Sequence, residues 1–139
     1  MKSEDYGKLH TFSKNQEDKS MQPIASFSFQ EGLNTVGRAA KEQKYTFEIS
    51  GDQYMSRPHF TIEVRKDNLG RVHYILFDNG STNGTFINCR ATKVQKKLTP
   101  QDRIKVDKGD QIKAGSTYFE IDPPKIAKDS KSKEDTAQL

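Results

Sequence analysis

Three short clusters along the chain carry side chains suited to binding a phosphate group. Gly37-Arg38 ends one predicted strand, Ser56-Arg57-Pro58-His59 begins another, and Ser81-Thr82-Asn83-Gly84-Thr85 leaves a third. Together they offer two guanidinium groups, several hydroxyls and an amide, with almost no acidic residue close by in sequence. Arginine presents a planar fork that matches phosphate oxygens, and hydroxyls and loop N–H groups can satisfy the rest. We therefore expect a phosphate site if the fold brings the clusters to one rim.

Taken singly, the same residues have simpler interpretations. Asn83-Gly84 between two strands is a strong signal for a hairpin turn. Arg38 alone is equally consistent with a surface ion pair, and Ser56 with a loop cap. For His59 we expect a structural role rather than catalysis or metal binding, because no second metal ligand stands at a suitable spacing.

The elements that must position these clusters are short β-strands. Apolar and polar residues alternate over Phe60–Val64, and Val72–Phe77 is the most apolar stretch and a predicted central strand. No window sustains helical periodicity. About ten short strands, separated by turn signals every roughly 8–12 residues, predict an all-β, antiparallel sandwich. Such a fold places its loops at the ends of the sheets, where binding residues tend to lie.

The two ends of the chain carry weaker signals. Residues 6–11 alternate only weakly and could form a first edge strand, whereas the polar segment 12–21 is expected to be a mobile loop. Residues 1–5 and the tail 123–139 are too polar to offset the entropy of ordering, so both are predicted to be disordered. A single domain over residues 6–122 remains.

Composition excludes several classes of protein. The chain has 139 residues, enough for one ordinary domain, and a low hydrophobic content of 32%. Cys89 is the only cysteine, which excludes an internal disulfide framework and a cysteine zinc site, and we expect it to be a turn thiol. No apolar run reaches the length of a membrane span, and the N-terminus lacks the apolar core of a signal peptide. A soluble protein of the cytoplasm or, in a eukaryote, the nucleus is expected.

The net charge of +4 is concentrated in one segment. Residues 90–108 hold seven basic side chains against Asp102 and Asp107: Arg90, Lys93, Lys96, Lys97, Arg103, Lys105 and Lys108. A local basic excess favours anionic partners, including nucleic acid, although a solvated edge kept soluble by lysines has the same composition. We regard nucleic acid as an unlikely partner on this segment alone.

The order of four motifs resembles the forkhead-associated (FHA) domain family. V-G-R is followed by S-R-P-H, then by S-T-N-G-T-F-I-N, with G-D-Q-I downstream, and the resemblance covers residues 6–122. It implies an FHA/SMAD-like sandwich of about eleven strands that binds phosphothreonine peptides on loops at one end. A phosphothreonine-containing protein, in a Ser/Thr kinase pathway, is then the expected partner.

The resemblance also implies a role for each site residue. Arg38 and Ser56 would contact the phosphate directly, and Thr82 would add a hydroxyl. Asn83 would hold the ligand main chain, and Arg57 would make a second peptide or phosphate contact. The residues Gly37, His59 and Gly84 resemble the family's structural positions, with His59 bracing the binding loops through hydrogen bonds.

Two main classes of function remain after these steps. The first is a non-enzymatic phosphothreonine-binding adaptor that needs no cofactor or metal, since no nucleophile–base or carboxylate pair is apparent. The second is a phosphorylation-independent interaction module that uses a sheet face of the same fold, with a nucleic-acid binder through residues 90–108 as a weaker third. One regulatory hypothesis adds that Thr136, followed by Leu139 three residues on, serves as an internal ligand when phosphorylated; an inert tail is the alternative.

Overall fold

The computed structural model describes residues 5–15, 17–39 and 47–124, and within them eleven β-strands form two sheets. The fold prediction, an all-β sandwich of about eleven strands, is confirmed. The strands are β1 (Lys8–Lys14), β2 (Met21–Ser28), β3 (Gly32–Arg38), β4 (Phe47–Ile49), β5 (Phe60–Lys66), β6 (Val72–Asp78), β7 (Thr85–Asn88), β8 (Gln95–Lys97), β9 (Ile104–Val106), β10 (Gln111–Ala114) and β11 (Thr117–Asp122).

The first sheet has the strand order β2-β1-β11-β10-β7-β8, and the second has the order β4-β3-β5-β6-β9. Neighbouring strands are antiparallel with one exception, the parallel pair β3–β4, in which Arg38 is opposite Ile49. Because these two strands run in the same direction, both end at the same edge of the sheet. The chain therefore leaves β4 next to Arg38 and passes directly into the loop that carries Ser56.

The core lies between the sheets and is filled by alternate residues of the longer strands. The pattern is clearest in β5, β6 and β11, whose inward side chains are almost completely inaccessible. The fully buried set includes Leu9, Phe60, Ile62, Leu76, Ile112 and Phe119. The rings of Phe60 and Phe119 meet edge to face across the two sheets, with centroids 5.0 Å apart. This packing holds the strand ends, and so the loops between them, in a fixed relation.

The expectation of a loop over residues 12–21 is wrong. The segment 12–21 is not a loop throughout, because β1 continues to Lys14 and β2 begins at Met21. β2 is an exposed edge strand, and none of the last three residues of β1 is buried, so few of these positions need to be apolar and the sequence signal is weak. Residues 1–4 and 125–139, including Thr136, lie outside the described residues.

The hairpin interpretation of Asn83-Gly84 is also wrong. β6 pairs with β5 and β9 in one sheet, whereas β7 pairs with β8 and β10 in the other. The segment between Asp78 and Thr85 therefore crosses from sheet to sheet. The Asn-Gly signal is local and carries no information about which sheet the next strand joins.

Candidate functional site

Strand register brings the three clusters to one rim. Val36 of β3 is opposite Phe60 of β5, and Phe60 is opposite Asp78 of β6. The residues just beyond these positions are Arg38, His59 and Asn79, so their loops leave the sheet side by side. Backbone hydrogen bonds continue the alignment, with the N–H of Arg38 donating to the carbonyl of Ser56 at 3.0 Å.

An open cleft of about 630 Å³ lies at this rim. It is lined by eleven residues, which include all five predicted ligand-binding residues: Arg38, Gln53, Tyr54, Met55, Ser56, Arg57, Pro58, Asn79, Gly80, Thr82 and Asn83. Two guanidinium groups face the cleft, and none of these lining residues carries a carboxylate. The cleft is therefore a polar hollow of positive charge.

Arg38 has the most unusual environment of the lining residues. Its side chain is half-buried at the end of β3, and its Nε is inaccessible and has no hydrogen-bond partner among the described residues. A buried donor without a partner costs free energy, and in native structures it is an exception that needs an explanation. An anion held at the guanidinium is one such explanation. Arg57 differs, because its side chain is exposed at the mouth of the cleft.

Direct hydrogen bonds join the Ser56 loop to the loop after β6. The N–H of Thr82 donates to Ser56 Oγ at 3.0 Å, and Asn83 Nδ2 donates to the Tyr54 carbonyl at 3.1 Å. The hydroxyl of Thr82 and the carboxamide of Asn83 are on exposed residues. The two loops thus form one surface, on which Ser56 Oγ lies beside the backbone of Thr82.

His59 connects these two loops through hydrogen bonds on their buried side. It is completely buried, its Nδ1 accepts a hydrogen bond from the Ser56 N–H at 3.0 Å, and its Nε2 is 2.8 Å from the Gly84 carbonyl. Burial lowers the pKa of His59 below its ordinary value of 6.5, and the Gly84 carbonyl opposes that shift only in part. The imidazole is therefore neutral near pH 7, with its proton on Nε2, because Nδ1 must accept and Nε2 must donate.

Of the two glycines predicted to support the site, Gly84 has a conformation that needs glycine. Its φ is +87°, in the left-handed region, and a Cβ there would lie 2.6 Å from Lys97 Cε. Gly37 is buried within β3, immediately before Arg38.

Asp78, which shapes the loop after β6, was not predicted from the sequence. Its Oδ2 accepts hydrogen bonds from the N–H groups of Gly80 (2.8 Å) and Ser81 (3.0 Å). Its Oδ1 accepts from the hydroxyls of Ser81 (2.5 Å) and Thr85 (2.6 Å). Burial raises the pKa of Asp78, but these hydrogen bonds together outweigh burial and hold the pKa below its usual value. An Asp followed by Gly and Ser is a known turn-forming pattern and could have indicated this role.

Asp52 was missed too, and no local signal could have found it. Its carboxylate accepts hydrogen bonds from the Tyr54 N–H (3.0 Å), the Ser116 N–H (2.8 Å) and the Thr117 hydroxyl (2.7 Å). The buried Asp52 thereby ties the loop after β4 to the turn between β10 and β11. Its partners on that turn are 64 and 65 residues away in sequence.

Two further observations concern metals and membranes. Within residues 5–15, 17–39 and 47–124, no group of three His, Cys, Asp or Glu side chains is placed to hold a metal ion. In the same residues there is no helix long and apolar enough to cross a membrane.

Comparison with solved structures shows the same architecture in several proteins. The chain is similar to an FHA domain of an Arabidopsis thaliana hypothetical protein (23% identity, 96% of this chain and 98% of that one, TM-score 0.59). It is similar to the yeast splicing factor Pml1 of the RES complex (19% identity, 87% and 83%, TM-score 0.64). It is also similar to an FHA domain studied for phosphothreonine-dependent interactions (23% identity, 85% and 99%, TM-score 0.54). At these identities the likeness is one of fold.

A comparison with curated proteins found no match. A family model described as the FHA domain does match, over residues 34–115, which is more than half of the chain and includes all three clusters. The chain therefore belongs to the FHA domain family.

Proposed function

We propose that this chain is a phosphothreonine-peptide-binding module, without enzymatic activity, that serves as an adaptor in Ser/Thr kinase signalling in the cytoplasm or nucleus. The observation that carries the proposal is the half-buried Arg38, whose Nε has no partner, in a cleft lined by no carboxylate among the described residues. A phosphate monoester brings about −1.5 to −2 charges and three acceptor oxygens. Such a group supplies the negative charge and the hydrogen-bond acceptors that the residues lining the cleft do not provide for Arg38.

Each lining residue has a task in this proposal. Arg38 and the Ser56 hydroxyl contact the phosphate, and the exposed Thr82 hydroxyl adds a third donor. The carboxamide of Asn83, already anchored to the Tyr54 carbonyl, holds the peptide main chain beside the phosphothreonine. Arg57, at the mouth of the cleft, contacts the phosphate or a neighbouring residue of the peptide. His59 and Gly84 keep the two loops at this spacing, and Gly37 sits in the strand that carries Arg38.

The affinity of such a site can be estimated from its hydrogen bonds. Each charge-assisted bond contributes about 1.5–3 kcal/mol, so the loss of one or two bonds from Arg38 weakens binding about tenfold to ten-thousandfold. Preference for phosphothreonine over phosphoserine rests on one extra methyl, which is worth only about 0.8 kcal/mol when buried. We therefore expect a stronger dependence on the phosphate than on the choice of hydroxyl residue.

A calorimetric titration tests the proposal. A phosphothreonine peptide library first identifies a ligand, which is then titrated against the wild type, Arg38→Ala and, as a matched cationic control on β9 at the far edge of the same sheet, Lys105→Ala. We expect binding that disappears with the unphosphorylated peptide, falls at least tenfold in Arg38→Ala and is unchanged in Lys105→Ala. Equal affinity for phosphorylated and unphosphorylated peptide would instead support the phosphorylation-independent module.

A further inference from the structure

A regular row of lysines and aromatic rings crosses the outer face of the six-stranded sheet. Register places Lys97 of β8 opposite Phe86 of β7, and Phe86 opposite Lys113 of β10. Lys113 is in turn opposite Tyr118 of β11, and Tyr118 is opposite Phe12 of β1. Residues directly opposite one another project from the same face, and none of these five is buried. We call this set, together with Lys14 beside the Tyr118 ring, the lysine–aromatic row.

The ammonium groups lie beside the rings. The Nζ atoms of Lys97 and Lys113 are each 5.8 Å from the centre of the Phe86 ring, and Lys14 Nζ is 5.7 Å from that of Tyr118. These distances are near the outer limit of about 6 Å for a cation–π contact. The lysine side chains are long, so a flat ligand can displace them from the rings while they keep contact with its charge.

Amide side chains adjoin the row. A hollow of about 230 Å³ on this face is lined by Lys14, Phe86, Asn88, Gln95, Gln111, Lys113 and Tyr118. Asn88 is opposite both Gln95 and Gln111, so three amides form a second row one step along the strands. Neither the hollow nor the row contains a carboxylate; Glu120, opposite His10, is the next outward residue of β11 after Tyr118.

The outer face of the other sheet lacks this arrangement. The corresponding row there is Leu33, Glu63, Ile75 and Lys105, in which one acidic and one basic residue balance each other. Its outward aromatic residue, Phe77, is covered at only 4.2 Å by the Arg103 guanidinium. The excess of lysine over acid therefore distinguishes the lysine–aromatic row from the corresponding row of the other sheet.

We infer that the lysine–aromatic row is a binding surface for single-stranded nucleic acid, separate from the cleft at the rim. Bases stack on aromatic rings, lysines neutralise phosphates, and Asn and Gln amides hydrogen-bond base edges. The three aromatic positions span three strand spacings, or roughly 14 Å, which is long enough for more than one base. An acidic protein segment would satisfy the lysines but would leave the rings and amides unused.

Nucleic acid thus becomes the proposed partner of this face, although the sequence alone made it an unlikely one. That view rested on residues 90–108, of which the row takes only Lys97. Lys96 instead pairs with Asp102 at 3.5 Å, and Arg103 lies on the other sheet. The remaining cations, Lys14 and Lys113, and all the rings come from strands that the composition of one segment could not connect.

Fluorescence anisotropy with labelled oligouridine and oligothymidine of about 12 nucleotides tests the surface. With three lysines engaged, the logarithm of the binding constant should fall with the logarithm of salt concentration at a slope of about −2, and Lys113→Ala should flatten it by about 0.7. Phe86→Leu, which keeps an apolar side chain but removes the ring, should weaken binding about five- to one-hundredfold.

Three controls make the result decisive. The matched variants Phe77→Leu and Lys105→Ala should bind as the wild type does, and a duplex of the same length should bind more weakly than the single strand. Absence of binding at low salt, or equal losses in the Phe86 and Phe77 variants, would overturn the inference. Competition by polyglutamate with no effect of Phe86→Leu would assign the face to an acidic protein, and loss of binding in Arg38→Ala would assign the nucleic acid to the rim cleft.

Discussion

Replacement of Asp78 by Asn should separate the anchoring of the loop after β6 from general stability. The carboxylate accepts four hydrogen bonds, two from backbone N–H groups and two from hydroxyls. In Asp78→Asn the acceptor is no longer charged, and the NH2 group that replaces one carboxylate oxygen faces donors where an acceptor is required. A charge-assisted bond exceeds a neutral one by about 1 kcal/mol, so four bonds give about 4 kcal/mol. Removal of the buried charge offsets part of this loss of about 4 kcal/mol, so we expect the free energy of unfolding to fall by about 2–3 kcal/mol.

Urea unfolding at pH 7 measures that loss, and titration with the phosphothreonine ligand measures its effect on the site. We expect Asp78→Asn to lower affinity at least tenfold, because the loop carries Thr82 and Asn83. The matched control is Asp67→Asn: Asp67 likewise accepts two backbone N–H groups, from Leu69 and Arg71, in a turn between β5 and β6. The Asp67→Asn variant should lose stability but keep the wild-type affinity for the phosphothreonine ligand. Unchanged affinity in Asp78→Asn, alongside a clear loss of stability, would refute the reasoning that this carboxylate positions the binding loop.

Three further predictions concern the supports of the site. Because burial lowers the pKa of His59 from 6.5, its contribution to stability is complete above about pH 6.5 and is lost as the pH falls below it. The free energy of unfolding should therefore fall with decreasing pH, with a slope of at most about 1.4 kcal/mol per pH unit, and urea unfolding should show that this slope is absent in His59→Gln. Gly84→Ala should cost about 1–2 kcal/mol in thermal unfolding, mostly from its positive φ, and Lys97→Ala should not rescue it, since that side chain can move aside. Asp52→Asn should speed hydrogen exchange at the N–H groups of Tyr54 and Ser116, and unchanged exchange would contradict the tie between their loops.

The candidate site was predictable from the sequence to the extent that its chemistry is local. Arginine and hydroxyl residues near strand ends suggested a phosphate site, and the resemblance to FHA domains then singled out Arg38, Ser56 and Thr82. Whether they meet depends on register, above all on the alignment of Val36, Phe60 and Asp78 across three strands. Register follows from the packing of whole sheets and cannot be obtained from the alternation within one strand.

Two of the features that escaped prediction depend on distant residues in the same way. Asp52 has a partner 65 residues away, and the lysine–aromatic row joins strands from β1 to β8. The extent of β1 escaped for another reason, since Phe12 lies on an outer face where polar neighbours conceal the strand pattern. The hairpin signal at Asn83-Gly84 identified a turn-like backbone, as the φ of Gly84 shows, but not the change of sheet.

The most direct measurement of the central claim is nuclear magnetic resonance of the Arg38 guanidinium during titration with the phosphothreonine peptide. Its Nε is buried without a described partner in the free protein, so a phosphate at the cleft should shift the Nε–H resonance strongly. The backbone N–H of Thr82 should shift at the same peptide concentrations, and the unphosphorylated peptide should move neither. Saturable binding that leaves Arg38 and Thr82 unshifted would contradict the account, because the phosphate would then lie elsewhere on the molecule.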